Sequence, residues 1–402
     1  MVRQVNEARE LAALVLQEKK RGGLYRDFVT LSHWGADGVG YPYFRGPGGD
    51  RLLHMCLNDY LGLSQSPNSI EAARESITRH GVGTCASRNI GGTRPEHAFL
   101  EEEIRSLHGQ EDCLLNAACT DVIAGILRLS DRVKMFSDEE NHASLIEGMR
   151  LARAGTRKII FRHNDVSHLR KLYSRHVRAR DIPVLVMETL YSMSGDYAPL
   201  TDIVPWFKEQ GGLVVLNEVH AVGVDGDDGG GRAAAANLSG MIDIVIGSLW
   251  KAIGVVGGYV TGCKEMIDYL RQTGVRAIFT TSLPHYVCAA ALRNIRDRRD
   301  SNDSVIEMRK KVALLKQYLL NEGVIYGGDL NSHIIPIIIG CEDKCATVAG
   351  ALRLHGYYVS AIRYPTVPIG QARLRVTVNP FHRGEDIESF ANIMGMTLRR
   401  CR

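Results

Sequence analysis

The order of apolar and amphipathic segments constrains the fold of this chain most strongly. Short apolar runs that end in Gly, Asn or Ser alternate with amphipathic stretches such as 145–154 and 200–210. This alternation predicts an α/β fold with a mostly parallel, seven-stranded sheet covered by helices on both faces. Ligands of such sheets bind beyond the carboxyl ends of the strands. The clearest strand candidates are 134–137, 158–161, 184–187, 213–216, 242–247, 258–261 and 277–280.

The same pattern suggests three parts of the chain. Residues 1–52 are predicted to form a charged amphipathic helix and an arm, and residues 53–287 are predicted to form a large domain. Residues 288–402 read as a smaller C-terminal α/β domain, with helices at 305–322 and 344–354 and strands at 334–339 and 374–378.

Composition argues against several classes of protein. The net charge of +4 is small and no long block of Lys or Arg occurs, which argues against a nucleic-acid partner. No apolar run reaches the roughly 18 residues of a membrane span. The nine cysteines are scattered without a CxxC pair, which predicts reduced thiols, no metal site and a cytoplasmic protein.

One lysine stands at a position suited to covalent chemistry. Lys251 follows the apolar run 242–247 and Ser248, and it precedes a glycine-rich stretch. A lysine withdrawn from water has a lowered pKa and becomes an amine nucleophile. Many pyridoxal-phosphate (PLP) enzymes place an acid after one strand, to pair with the pyridinium nitrogen, and Ser-x-x-Lys after a later one. Here the acid position is Asn217, and Lys251 is the predicted Schiff-base lysine.

Further residues could contact such a cofactor. The flat ring of His142 could stack on a pyridine; by itself this is a weak signal, and the alternative is an incidental histidine in a helix N-cap region. His220, three residues after Asn217, could reach the ring hydroxyl or be a satisfied polar residue at a strand end. Phosphate is bound by hydroxyls and N–H groups at helix N-termini, where ordinary capping is the alternative. The candidates are Cys119, Thr120, Ser248, Thr280, Thr281 and Ser282.

Eight motifs in order along residues 25 to about 390 carry a family resemblance. They are NDYLGL (58–63), SRNIGGT (87–93), FSDEENHAS (136–144), FRHND (161–165), ETLYSMSG (188–195), EVHAVG (218–223), FTTSLP (279–284) and YPTVP (364–368). The chain resembles the α-oxoamine synthase family, and its 5-aminolevulinate synthase branch in particular. The resemblance implies a fold-type-I PLP transferase, similar to aspartate aminotransferase, that works as a homodimer with active sites at the subunit interface.

The resemblance also implies a reaction and a set of site residues. Glycine or a similar small amino acid would condense with succinyl-CoA or another acyl-thioester, with loss of carbon dioxide, to 5-aminolevulinate or a related α-aminoketone. Lys251 is then the Schiff-base lysine and proton shuttle, and His142 and His220 complete the catalytic set. The implied cofactor-binding set is Cys119, Thr120, His142, Ser192, Asn217, Val219, His220, Ser248, Lys251, and Thr280 and Thr281 from the partner subunit.

The implied substrate-binding residues fall into two groups. Asn58 and Arg375 match the positions that hold the amino-acid carboxylate. Arg26 matches the arginine that receives the distal carboxylate of a succinyl group, and the acyl pocket is completed by Ser87, Asn89, Ile90 and Thr366. A guanidinium recognises a carboxylate bidentately, whereas a fatty-acyl chain would have no use for it. The alternative is a surface arginine on an arm.

The chain departs from the family pattern near the cofactor. Asn217 replaces the aspartate that pairs with the pyridinium nitrogen. The side-chain amide of asparagine is uncharged and can donate a hydrogen bond to an unprotonated ring nitrogen. A ring with an unprotonated nitrogen is a weaker electron sink. A variant reaction, a slow enzyme and a deliberate substitution all remain open. So do a different acyl donor, including a carrier-protein thioester, and a PLP-binding subunit of low activity. Milder departures are residues 116–120, Ser194, Trp250 and the pair Cys85 and Ala86.

Overall fold

The computed structural model describes residues 2–22, 24–26, 28–34, 40–116, 121–151 and 157–401. The strands are β1 (Ser32–His33), β2 (Tyr43–Arg45), β3 (Arg51–His54), β4 (Asp112–Asn116), β5 (Val133–Asp138), β6 (Arg157–Phe161), β7 (Ile182–Glu188), β8 (Leu213–Asn217), β9 (Ile244–Ser248), β10 (Gly258–Gly262), β11 (Ile335–Gly340), β12 (Tyr357–Tyr358), β13 (Ala361–Ile362) and β14 (Ala372–Val376).

The α-helices are α1 (Val2–Arg21), α2 (Pro67–His80), α3 (Pro95–His108), α4 (Asp121–Arg128), α5 (Ala143–Arg150), α6 (Val166–His176), α7 (Leu200–Glu209), α8 (Arg232–Ala235), α9 (Lys264–Thr273), α10 (Val275–Phe279), α11 (His285–Asp300), α12 (Asp303–Asn321), α13 (Glu342–Leu354) and α14 (Gly384–Arg400). The chain divides into two compact units. One comprises 58–309 and 329–332; the other comprises 1–57, 310–328 and 333–402.

The larger unit is built on a sheet that, within the described residues, has seven strands in the order β4-β10-β9-β8-β7-β5-β6. All neighbours from β9 to β6 are parallel, and β10 runs antiparallel to both β9 and β4. The mostly parallel α/β sheet predicted from the sequence is therefore confirmed. Its parallel strands end together at one edge, where a ligand site is expected.

Both faces of this sheet are buried by helices. Successive residues of a strand point to opposite faces, and in β7 Leu185 and Met187 pack with α6 and α7 while Val184 and Val186 pack with α4, α5 and α9. Burial of each such side chain contributes on the order of 1.5–3 kcal/mol. This explains why the parallel strands are continuous apolar runs and not alternating ones.

One of the seven predicted strands is wrong and another strand was missed. Residues 277–280 fall on α10 and the residue after it, and the Ile278 N–H donates to the Gly274 carbonyl at 3.1 Å, as in a helical turn. A short apolar run has no periodicity that separates helix from strand. The seventh strand is β4, whose apolar core of Cys113, Leu114 and Leu115 lacks the β-branched residues typical of strands.

The smaller unit contains two sheets, ordered β1-β2-β3-β12 and β11-β14-β13. Strands β11 and β14 and helix α13 overlap the elements predicted at 334–339, 374–378 and 344–354. The rings of Tyr357 and Phe390 meet edge to face, with centroids 5.3 Å apart, in the core of this unit. In the described part of the chain, no helix is both long and apolar enough to cross a membrane.

Candidate active site

A cavity of about 380 Å³ lies at the carboxyl edge of the large sheet. Parallel pairing sets Glu188 at the end of β7 opposite Asn217 at the end of β8, and Ser248 ends β9 beside them. The cavity is lined by His142, Ser144, Glu188, Asn217, Val219, His220, Ile246, Gly247, Ser248, Trp250, Lys251, Gly257 and Gly258. The structure thus brings together six residues predicted from the sequence: His142, Asn217, Val219, His220, Ser248 and Lys251.

Lys251 lies in the turn that follows β9. Its carbonyl accepts the N–H of Gly254 at 3.0 Å, which closes the turn and directs the chain back into β10. Gly254 has φ +77°, and a Cβ there would lie 2.4 Å from the backbone nitrogen of Ser64, so no other residue fits without movement. Trp250, 53% exposed, lies beside Lys251 on the cavity wall.

His142 is both the N-cap of α5 and part of the cavity wall. Its Nδ1 accepts the N–H of Ser144 at 3.1 Å, which leaves the proton of a neutral ring on Nε2. Desolvation, and secondarily the positive charge of Lys251, lower the pKa of His142. His142 is therefore a capping residue, as one of the two explanations from the sequence has it, and it also lines the cavity, where stacking on a pyridine ring stays a prediction.

A chain of hydrogen bonds, buried at the His220 end, orients this residue. The hydroxyl of Tyr60 lies 2.6 Å from His220 Nδ1 and 3.3 Å from Asn58 Oδ1. The Nδ1 side of the imidazole is therefore held by a group outside the cavity wall. Sequence reasoning did not single out Tyr60, although its motif NDYLGL was noted and could have indicated it.

The side-chain amide of Asn217 is oriented by the backbone. Its Oδ1 accepts the N–H of Val219 at 3.1 Å. Because a backbone N–H must donate to an acceptor, this bond identifies Oδ1 as the amide atom that contacts Val219. The other amide atom is Nδ2, which is a donor. Asn217 lines the cavity.

Glu188 is a second residue that sequence reasoning missed. It is buried and lines the cavity. Burial is the main reason that its pKa is raised, to about 8, and the charge of Asp138 adds to the effect. The signal available in the sequence was its position at the start of the motif ETLYSMSG.

Other predicted site residues lie away from this cavity wall. Thr280 and Thr281 line a separate hollow, and Thr281 forms an isolated backbone bridge with Ser87. The hydroxyl of Ser87 donates to Asn89 Oδ1 at 2.6 Å, and Ile90 is 74% exposed. The structure thus brings predicted acyl-pocket residues next to a predicted phosphate residue.

Three other predicted cofactor residues are not among the described residues that line the cavity. Ser192 is buried without lining the cavity, and Cys119 and Thr120 lie outside the described residues.

Two further predicted residues meet in the smaller unit. The guanidinium of Arg26 donates to Thr366 Oγ1 at 2.9 Å, although 340 positions separate them in the sequence. Arg375 is buried in β14 of the same unit.

The cavity suits PLP in size and in chemistry. Small-molecule sites have volumes of about 300–1,000 Å³ and a few converging polar groups. Here an amine, an amide, a carboxyl group, two imidazoles and two hydroxyls line a cavity of about 380 Å³.

Comparison with known proteins gives the family. The family model "Aminotransferase class I and II" matches residues 50–393. The 5-aminolevulinate synthase of Rickettsia prowazekii is 36% identical over 380 residues, which cover 93% of this chain and 90% of that protein. The chain belongs to the α-oxoamine synthase family of PLP-dependent enzymes.

Two more relatives agree with this membership. The 5-aminolevulinate synthase of Rhizobium meliloti is 36% identical over 385 residues, 94% of each chain. A serine palmitoyltransferase variant from S. paucimobilis, solved with bound PLP and myriocin, superposes with a TM-score of 0.88 at 26% identity, covering 99% of this chain and 98% of that one. The predicted fold-type-I fold, the enzyme class and the PLP cofactor of this α-oxoamine synthase are confirmed.

Proposed function

We propose that this α-oxoamine synthase condenses glycine with succinyl-CoA, releases carbon dioxide and CoA, and forms 5-aminolevulinate. The observation that carries the proposal is the likeness, over nine-tenths of the chain, to proteins named 5-aminolevulinate synthase. The contact between Arg26 and Thr366 supports the choice of acyl donor, because both residues are assigned to the acyl pocket from the sequence.

Bound PLP would supply an aldehyde that captures the amino acid and a ring that withdraws electrons from its α-carbon. Lys251 is the amine that holds the cofactor and moves the proton at the α-carbon. His142 would stack on the pyridine ring. His220, whose Nδ1 lies 2.6 Å from the Tyr60 hydroxyl, would contact the ring hydroxyl together with Ser192. Ser248 contributes to the phosphate site, with Cys119 and Thr120.

The substrate contacts and the assembly complete the proposal. Asn58 and Arg375 bind the amino-acid carboxylate, and Arg26, Ser87, Asn89, Ile90 and Thr366 bind the acyl group. We propose a cytoplasmic homodimer in which Thr280 and Thr281 serve the partner's phosphate site, and in which residues 53–287 form the PLP-binding domain.

The primary experiment measures release of CoA thiol from PLP-saturated protein given glycine and succinyl-CoA, with mass detection of 5-aminolevulinate. Lys251→Ala is the blank. Lysine-dependent thiol release with formation of 5-aminolevulinate supports the proposal. A cofactor absorption band that responds to glycine, without thiol release on adding succinyl-CoA, would overturn the choice of acyl donor.

Arg26→Leu tests the acyl pocket separately. Loss of the guanidinium should raise the KM for succinyl-CoA while the change in absorption on adding glycine persists. Arg363→Leu is the matched control, because Arg363 contacts the same segment through the Tyr25 carbonyl at 3.5 Å. Unchanged use of succinyl-CoA by the Arg26 variant would show that the pocket is wrongly assigned.

Two alternatives have observations in their favour. The likeness to serine palmitoyltransferase favours the same condensation with another acyl donor, including a carrier-protein thioester. Asn217 favours a PLP-binding subunit of low activity, because it brings no charge to the ring nitrogen. Turnover with other thioesters, or co-purification of a related active subunit, distinguishes these from the main proposal.

A further inference from the structure

The cavity contains one carboxyl group whose role is not explained by the contacts assigned so far. Glu188 is the last residue of β7, is 1% exposed, and is the only acidic residue among the described residues that line the cavity. Its parallel neighbour on β8 is Asn217, so the carboxyl group of this wall lies one strand away from the amide.

Both loops beside Glu188 donate backbone hydrogen bonds to its carboxylate. Oε1 accepts the N–H of His142, which lies between β5 and α5. The carboxylate also accepts the N–H of Ser192, in the loop that follows β7. One buried side chain thus joins the segment that carries the ring-stacking histidine to the segment that carries a hydroxyl assigned to the cofactor.

We propose that Glu188 is a positioning residue for the PLP site: its carboxylate joins the His142 and Ser192 loops and sets the spacing between them. The inference rests on the proposed use of His142 and Ser192 as cofactor contacts. Glu188 acts through these two segments, and the positive charge of Lys251 stabilises the ionised carboxylate in the same cavity.

The carboxyl oxygens of Glu188 are the acceptors for both N–H groups. A glutamine at 188 would keep one acceptor oxygen and replace the other with an NH₂ group, which cannot accept a hydrogen bond. Burial, and secondarily the charge of Asp138, raise the pKa of Glu188 to about 8, whereas the backbone N–H groups of His142 and Ser192 and the charge of Lys251 oppose this rise.

A second buried glutamate provides a matched control. Glu218 follows β8, is 0% exposed, and accepts the backbone N–H groups of Arg232 at 3.0 Å and Ala233 at 2.7 Å. It also accepts the hydroxyl of Thr189 at 2.7 Å. Its two N–H donors belong to the start of α8, and it does not line the cavity. A purely structural buried carboxylate is expected to behave like Glu218.

The test compares Glu188→Gln with Glu218→Gln in the full chain. PLP affinity and the visible absorption band of bound PLP are measured, together with the urea midpoint of the cofactor-free protein. Both variants should lower the midpoint. Only Glu188→Gln should weaken PLP binding, by about tenfold, and shift the band, since a lost buried hydrogen bond costs about 1–3 kcal/mol. Equal effects of the two variants on PLP binding, or no effect of Glu188→Gln, would overturn the proposal.

A measurement on the unmodified protein covers the case in which a variant does not fold. Without PLP, the amide protons of His142 and Ser192 should exchange slowly with solvent, because Glu188 already holds them; rapid exchange of either would overturn the proposal. None of these readouts requires glycine or a thioester. Absence of turnover would therefore count against the proposed function alone, and an unchanged band in Glu188→Gln against this inference alone.

Discussion

The backbone N–H of Val219 donates to Asn217 Oδ1 at 3.1 Å, and this bond decides which end of the amide is left for a ligand. With the oxygen engaged, Nδ2 is the free end, and it can donate a hydrogen bond but not accept one. An unprotonated pyridine nitrogen matches such a donor. Asn217, which the sequence analysis identified as a departure from the family pattern, is thus held in one orientation by the turn after β8.

Asn217→Asp should strengthen the electron-withdrawing ring and raise the rate of 5-aminolevulinate formation by about tenfold or more, equivalent to about 1.4 kcal/mol in the barrier. An aspartate could keep the Val219 bond through one oxygen and offer the other to a protonated ring nitrogen. The nitrogen-15 chemical shift of labelled PLP reports the protonation directly. Asn217→Ala is the control, because it removes the donor without adding charge. A slower Asn217→Asp enzyme with an unprotonated ring would contradict the prediction.

Tyr60→Phe should weaken PLP binding without removing a group that touches the cavity. The hydroxyl lies 2.6 Å from His220 Nδ1, and a buried nitrogen left unpaired costs about 1–3 kcal/mol. We expect a lower free energy of unfolding and a higher PLP dissociation constant, measured by urea titration and by fluorescence. Tyr191→Phe is a matched control, because Tyr191 is buried near the same sheet edge with no hydroxyl contact to His220. Equal PLP affinity for wild type and Tyr60→Phe would show that His220 needs no such support.

Gly254→Ala should destabilise the protein by about 1–3 kcal/mol, because φ is +77° and the added Cβ would meet the backbone of Ser64 at 2.4 Å. The turn carries Lys251, so the PLP absorption band should also change. Gly211→Ala is the control: it has a similar φ of +74° but open space around its Cβ. Thermal unfolding of the two variants separates the steric contact from the cost of positive φ, and equal losses would contradict the steric argument.

His163 should make stability fall as pH rises above neutrality. Burial opposes its charge, but Asp138 at 2.9 Å and Asp196 at 2.7 Å raise the pKa of His163 to about 10. A folded pKa above the unfolded value of about 6.5 means that the stabilisation is complete below pH ~6.5 and is lost progressively up to pH ~10.

His163→Gln removes this dependence. The difference in free energy of unfolding between wild type and variant should shrink between pH 6.5 and 9, measured by urea unfolding. The slopes of the unfolding free energy against pH are compared, and not its absolute values, because the variant leaves the carboxylates of Asp138 and Asp196 facing each other. A difference that stays constant over this range would contradict the assigned ion pairs.

The sequence alone determined the α/β class, the PLP cofactor and six of the thirteen residues of the cavity wall. Continuous apolar runs report strands buried on both faces, and the polar residues that follow them, Asn217, Ser248 and Lys251, necessarily share the carboxyl edge of a parallel sheet. These inferences need only local patterns and the geometry common to all such sheets.

Only the tertiary structure decided the contacts between residues distant in the chain. The pairing of Tyr60 with His220, and of Arg26 with Thr366, spans 160 and 340 positions and has no local signature. The role of β4 in place of residues 277–280 was likewise set by pairing with β10, because a run of three or four apolar residues does not specify helix or strand. Glu188 became a candidate for the same reason: its burial and its two N–H donors exist only once three segments of the chain have packed together.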